Sequence, residues 1–587
     1  DYGTTWVYRN TDQLFMVPLR DDIESPFAPE SDSEEWGDKK DDEDDEDEEK
    51  DDDDKKDEKV EDLEIDIEGF ERRAVRIPVE SGGFTLHVVN DDNRLIYTRN
   101  GAKPGDDPSI HILDLEDDEE EYEKSVLGGQ GNFRISADGK KLLVWQNGRN
   151  ARLAIIKAAE DQKTEDFIAT SGMTAMIDPR AEWKQIFTDA WRIQRDYFYD
   201  GNMHGVDWPA VRTRYEAMLA DCASRLDVSY VIGEMIAELN VGHAYYWGGD
   251  TEDAPSITVG MLGCDFERGD GAYRIVNILE GGAWDVDDRG PLSQPGVDVS
   301  NGDYLLAVNG VALDMKKDPW AAFQGMAGRT VTITVSDEPK MSDDARKIVV
   351  ELLSSDFMLR YRAWVEKNRK YVEEKTGGRV GYIYVPNTGR NGQNELVRAF
   401  VGQKGKPALI IDERWNGGGQ IPTRFVELLD RPIASYWATR FRDSDPAWPP
   451  DGHHGVKCML INGNAGSGGD YFPYWFRERG LGKLIGTRTW GGLVGISGNP
   501  ALIDGGYTSV PTFAFYEKDG TWGIEGHGVE PDIEVLDDPA KMVGGKDPQL
   551  DAAIAHILNE LETNPVVHPK RPAYPDRSGM GITEQDK

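Results

Sequence analysis

A chain of 587 residues is long enough for three or four domains with separate cores, and no apolar run in it approaches the ~20 residues of a membrane span. Its net charge of −43 argues against a nucleic-acid partner, because a phosphate backbone is met by clustered Lys and Arg. Three widely separated cysteines, Cys222, Cys264 and Cys458, imply neither a disulfide framework nor a cysteine-based zinc site.

The first part of the chain reads as all-β. Strands are expected at Asp12–Leu19, Ala74–Val79, Gly83–Val89, Arg94–Thr98 and Leu142–Gln146. The phrase Ile135-Ser-Ala-Asp-Gly-Lys-Lys-Leu-Leu-Val-Trp145 sets an Asp-Gly turn before a strand, as a hairpin does. Between the first strands, residues 31–62 are an acidic low-complexity insert, expected to be disordered by self-repulsion and lack of apolar residues. A propeller blade takes ~40–45 residues, so residues 1–178 less that insert hold only about three, too few to close a ring of at least about four. The chain, which opens with Asp1 rather than methionine, is therefore expected to be the C-terminal part of a longer protein.

After Pro179 the apolar period changes to three and four. Helices are expected at Trp183–Phe198, Trp208–Leu219 and Val228–Leu239, making a small helical domain over 179–250 that ends near His243. Residues 256–337 return to strands, at Ile257–Leu262, Tyr273–Ile278, Tyr304–Val308 and Thr330–Val335. The run Gly296-Val-Asp-Val-Ser-Asn-Gly-Asp-Tyr-Leu-Leu-Ala-Val-Asn-Gly310 resembles a PDZ domain, a fold that takes peptides along a sheet edge.

From 345 to 540 strands and helices alternate, as in an open α/β layer. Strands fall at Val380–Val385, Ala408–Asp412 and Lys457–Ile461, helices at Gln393–Phe400 and Thr423–Leu429, and residues 541–587 form a C-terminal helix and tail. Two glycine-rich turns, Asn416–Gly419 and Gly466–Gly469, follow strand ends, where ligands of such sheets gather. Neither is a phosphate loop, since no Gly-Lys-Ser/Thr follows. Ser467 sits between a buried strand and an aromatic helix, the setting either of an exposed nucleophile or of a helix-capping serine in a glycine-rich connection. Acyl transfer also needs a base, an orienting group and oxyanion donors. The amides of Gly468 and of Gly417 or Gly418 suit the last role, and His243, His453, His454 and His527 are the candidate bases. His453 and His454 point apart on a strand and lack a third ligand at motif spacing, so no metal site is implied.

The segments Asp412-Glu-Arg-Trp-Asn-Gly-Gly-Gly419, Asn464-Ala-Gly-Ser-Gly-Gly-Asp470 and Gly486-Thr-Arg-Thr-Trp-Gly-Gly492 resemble the core of tail-specific, or C-terminal processing, serine peptidases. Together with Arg195–His204, Glu525–Asp532 and the domain order, they resemble the tricorn branch over essentially the whole chain. The resemblance implies a multidomain architecture: partial β-propeller blades, a helical domain, a PDZ-like domain and an α/β catalytic domain. It implies a serine endopeptidase acting on peptides without metal or other cofactor, with Ser467 as nucleophile, His243 as base, Glu525 as the acidic member, and Gly468 with Gly417 or Gly418 as oxyanion donors. His527 is the rival base. It also implies a homo-oligomer, hexameric in the family, and a cytoplasmic setting, or a periplasmic one if a leader precedes the chain. One position departs from the pattern: Gly242 stands where a serine commonly relays between histidine and glutamate. Glu525 is then expected to meet the imidazole directly or through a water. The alternative reading is a catalytically impaired scaffold that binds peptides through PDZ and propeller surfaces. Asp443 and Asp445 lie in a region suited to a specificity pocket.

Overall fold

Alternating apolar and polar residues give the first part of the chain its sheets. The computed structural model describes residues 11–23, 64–100, 107–115, 122–145, 152–170, 172–282, 289–420, 422–441, 445–565, 567–575 and 584–585. It divides into two compact units, Asp1–Met176 and Ile177–Lys587.

The first unit holds two four-stranded antiparallel meanders, the form of a propeller blade. One runs Phe84–Val89, Leu95–Arg99, Ser109–Leu113, Glu123–Leu127; the other Asn132–Ile135, Lys141–Trp145, Leu153–Lys157, Phe167–Ile168. They share a core that includes Ile96, Ile110, Phe133, Leu142 and Val144. The expected Asp-Gly hairpin is present: Gly139 has φ 73° and its amide donates to Ser136 C=O at 3.0 Å. The strands expected at 12–19 and 74–79 shorten to Phe15–Met16 and Val75–Arg76, paired with each other. The acidic insert lies outside the described residues.

The second unit opens with helices Pro179–Tyr197, Trp208–Glu216 and Arg225–Ala237. Asp178 caps the first, with proline in its first turn, and Ser224 with Asp227 forms a capping box on the third. A six-stranded antiparallel sheet follows. Arg346–Glu351, expected to begin the α/β segment, instead pairs with Thr330–Ser336 in this sheet. The strand expected at Ile257–Leu262 is only two isolated bridges, Val259 to Gln324 and Met261 to Leu353.

The remainder is a five-stranded parallel sheet in the order Val380–Tyr384, Ala408–Asp412, Val456–Ile461, Gly482–Gly486, Ile533–Glu534. Successive side chains of a strand point to opposite faces, and here both faces are covered. Leu409, Ile411, Met459 and Ile461 pack with Phe400, Phe425, Phe472 and Phe476. Ala408, Ile410, Cys458 and Leu460 pack with Val372, Leu550, Ile554 and Ile557. Such double burial accounts for the uninterrupted apolar runs of these strands. No helix among the described residues is long and apolar enough to cross a membrane.

Candidate active site

The two glycine-rich turns leave neighbouring strands, Ala408–Asp412 and Val456–Ile461, and meet each other. Asn416 organises the first: its Nδ2 donates to Val385 C=O at 3.1 Å and its Oδ1 accepts from Gly418 N–H at 2.9 Å. Its carbonyl accepts from Gly466 N–H at 3.1 Å, binding the second turn to the first. A Cβ on Gly418 would stand 2.7 Å from Ser467 Cβ and 2.8 Å from Gly466 C=O. The close approach, with φ +78° at this position, requires glycine. Below the first turn Arg414 is fully buried between Asp412 (2.7 Å) and Asp547 (2.9 Å).

Ser467 is half-buried immediately before the helix Gly468–Glu478, with φ 57° and ψ −118°. An L-residue rarely adopts that conformation, and it persists only where surroundings enforce it. Asp470 does the enforcing: its carboxylate accepts from Ser467 N–H (2.8 Å), Gly491 N–H (2.8 Å), Gly492 N–H (3.1 Å) and Thr489 Oγ1 (2.5 Å). Burial pushes the Asp470 carboxyl above its usual range, and these four donors offset only part of that rise.

His243 has φ 59° and lies in the loop after the third helix of this unit. Ser509 Oγ donates to its carbonyl at 2.7 Å and accepts from Tyr245 N–H at 2.9 Å. The Ser509 carbonyl is in turn bonded by buried Gln194 at 2.9 Å. The Trp490 ring, which packs on Gly466, lies 5.7 Å from the imidazole, so the histidine and the residue before Ser467 border a common indole. The two side chains are not hydrogen-bonded to each other, and His243 Nδ1 is buried with no partner. Burial lowers the His243 pKa and the Glu525 charge raises it, with burial dominant.

Glu525 makes no direct hydrogen bond to the imidazole. Its Oε1 accepts from Gly242 N–H at 2.7 Å and its Oε2 from Leu493 N–H and Val494 N–H at 2.6 and 2.9 Å. The carboxylate thus holds the main chain beside His243. A Cβ at position 242 would stand 2.9 Å from Gly492 Cα and 3.1 Å from Glu525 Oε1, so main chain occupies the room a relay side chain would need.

The oxyanion assignment also changes. Gly417 N–H donates to Pro386 C=O at 3.0 Å and Gly418 N–H to Asn416 Oδ1 at 2.9 Å, so both amides are committed. The Gly419 and Gly468 amides have no acceptor among the described residues, and they approach each other: Gly419 N lies 2.8 Å from where a Gly468 Cβ would be.

The remaining candidates lie apart from this cluster. His527 is exposed, beside Glu530 at 3.3 Å and Arg488 at 3.3 Å. His453 is buried before the start of strand Val456–Ile461, bonded to Lys406 C=O, and burial takes its pKa down to about 3. Asp445 is paired with Arg571, and Asp443 lies outside the described residues. Asn416, Asp470 and Thr388 carry much of the local geometry without having been assigned a role from sequence. For Asp470 the Ser-x-x-Asp spacing was a readable signal.

Comparison with known proteins finds three family matches along the chain. Residues 179–237 match the tricorn protease C1 domain, 260–355 the tricorn protease PDZ domain and 379–535 peptidase family S41. The chain is 36% identical to tricorn protease homolog 1 of Streptomyces coelicolor, over 86% of this chain and 48% of that protein. It is 33% identical to the tricorn protease of Thermoplasma volcanium, over 77% of this chain and 43% of that one. A crystal structure of the tricorn protease superposes with a TM-score of 0.76 at 29% identity, over 85% of this chain and 48% of that chain. The chain spans about half the length of the curated relatives it matches.

Proposed function

This chain belongs to the tricorn protease family, and on that premise we propose that it is a serine endopeptidase cutting peptides through an acyl-enzyme. Ser467 Oγ attacks the scissile carbonyl carbon while His243 takes its proton, and the tetrahedral oxyanion is held by the Gly468 and Gly419 amides. His243 returns the proton to the leaving amine, and a water activated by the same imidazole releases the acid. Glu525 acts on His243 through charge and through the Gly242 main chain, favouring the imidazolium that forms transiently. The observation that carries this reading is the strained Ser467, fixed by Asp470 at a helix N-terminus beside free amides.

Domain limits at 1–178, 179–250, 256–337, 345–540 and 541–587 form part of the proposal, with the third extended to include strand Arg346–Glu351. So do a homo-oligomeric assembly and a cytoplasmic setting. Three free, buried cysteines support a reducing compartment.

An alkyl fluorophosphonate tests the chemistry. Ser467 is expected to be modified far faster in native than in denatured protein, as read by peptide mass spectrometry. Ser467→Ala is expected to abolish labelling and to lower peptide turnover by about 10⁶-fold with an unchanged circular dichroism spectrum. Native protein that stays unlabelled would overturn the reading in favour of a peptide-binding scaffold.

A further inference from the structure

Thr388 lies in the loop between strand Val380–Tyr384 and helix Arg390–Gln403, outside every motif that marks the site. Its side chain is fully buried and its Oγ1 has no hydrogen-bond partner. That hydroxyl occupies the spot a Cβ on Gly468 would need, a spot 2.6 Å from the Gly419 carbonyl oxygen and 2.8 Å from the Gly419 nitrogen. A Cβ on Gly419 would in turn run into the main chain of Thr388 and Gly389. Thr388, Gly419 and Gly468 therefore interlock at the two free amides.

The main chain of Thr388 contributes first. Its N–H donates to Gly418 C=O at 2.9 Å. A trans peptide is planar, with its C=O and the following N–H directed oppositely. Pinning the Gly418 oxygen on Thr388 thus directs the Gly419 N–H away from that loop. The hydroxyl is the second element. A buried hydroxyl without a partner carries a desolvation cost that a valine of the same shape would not. Its benefit must come in a state other than the resting one. An interaction made only as the oxyanion forms raises turnover rather than affinity.

We propose that Thr388 is a positioning residue of the peptidase reaction, its N–H fixing the Gly418–Gly419 peptide and its hydroxyl the following Gly419–Gln420 peptide, so that the Gly419 amide serves the oxyanion. At rest the N–H holds the Gly418 oxygen. As negative charge draws the Gly419 N–H toward the substrate oxygen, the hydroxyl donates to the Gly419 carbonyl and braces the adjoining Gly419–Gln420 peptide, so that Gly419 is held on both sides of its Cα. The inference rests on the serine-peptidase reading of Ser467.

The test compares Thr388→Val and Thr388→Ser with the wild-type chain, using a quenched-fluorescence peptide library, fluorophosphonate labelling and thermal melts. Removing one oxyanion donor outright costs ~10²–10³-fold in kcat, and loosening one is expected to cost T388V about 10- to 100-fold, with KM within about twofold. The Ser467 labelling rate should fall in step, and the melting temperature should equal or exceed that of wild type. T388S should recover most of the lost turnover. Wild-type turnover in T388V, or a loss carried by KM that T388S does not restore, overturns the assignment while an active wild type leaves the Ser467 reading standing. A wild-type chain that neither labels nor cleaves overturns both.

Discussion

The turns Asn416–Gly419 and Gly466–Gly469 are alike in composition and leave adjacent parallel strands, yet they are held by opposite means. The second is held by charge: one buried carboxylate, Asp470, gathers two amides from 491–492, a threonine hydroxyl and the Ser467 amide. It forces a non-glycine residue into the left-handed region. The first is held by a neutral amide, Asn416, above a buried Asp412–Arg414–Asp547 cluster. It keeps its strained positions for glycine, with φ 78° at Gly418 and 153° at Gly419. A turn that must present a side chain needs external enforcement, whereas one that presents only main chain can rely on glycine and local bonds.

That contrast can be broken most severely at Asp470. Asp470→Asn keeps the volume but sets an NH₂ group against amides that now find an acceptor. Stability is expected to fall by about 3 kcal/mol or more, and a displaced Ser467 to lower kcat by ~10²-fold or more, read by urea denaturation and peptide turnover. Wild-type turnover in D470N would mean that the serine holds its conformation without the carboxylate. Asn416→Ala removes two bonds at the other turn. Loss of about 2 kcal/mol is expected, with a fall in kcat of roughly tenfold through the loosened Gly419 amide. If N416A were the more damaging of the two, the ranking of charge over neutral amide would be reversed.

The smallest effect sharpens the contrast by pH. Glu413 is fully buried beneath the first turn, neither oxygen has a partner, and burial with neighbouring Asp470 and Asp412 holds its pKa well above the usual range. The folded chain therefore keeps this proton more tightly than the unfolded chain does. Its contribution to stability is complete below the unfolded carboxyl range near ~4.3 and is lost as pH rises toward the folded value. Glu413→Gln removes that decline. Urea midpoints at pH 5 and 8.5 should differ less in E413Q than in wild type, with a gain on the order of 1 kcal/mol at the higher pH. An unchanged pH slope would show that Glu413 does not bind its proton differently on folding.

The fold was legible where burial was two-sided. Ala408–Asp412 and Val456–Ile461 are continuous or nearly continuous apolar runs because both faces of their sheet are covered. The 19-residue helix Phe357–Lys375 was missed because its many charged side chains blur the apolar stripe, and the strand Asp265–Gly269 is largely polar. At the site, Ser467, His243 and Glu525 were readable as side chains in motifs. The committed amides of Gly417 and Gly418, the three-amide grip of Glu525 and the empty-handed hydroxyl of Thr388 were not. Each depends on which main-chain groups meet after strands distant in sequence have been set side by side, and no local pattern encodes that.

The loop bearing His243 is held by Ser509, while the helices before it share a core completed by Leu502 and Val510. Histidine and serine are 224 residues apart (467 − 243), so the proposed base reaches its post only after both segments have folded onto one another. A half-made chain, or one partly melted at this junction, would carry the proposed nucleophile without its proposed base. On the serine-peptidase reading, cleavage in this way depends on both segments being in place, an intrinsic safeguard for neighbouring unfolded chains.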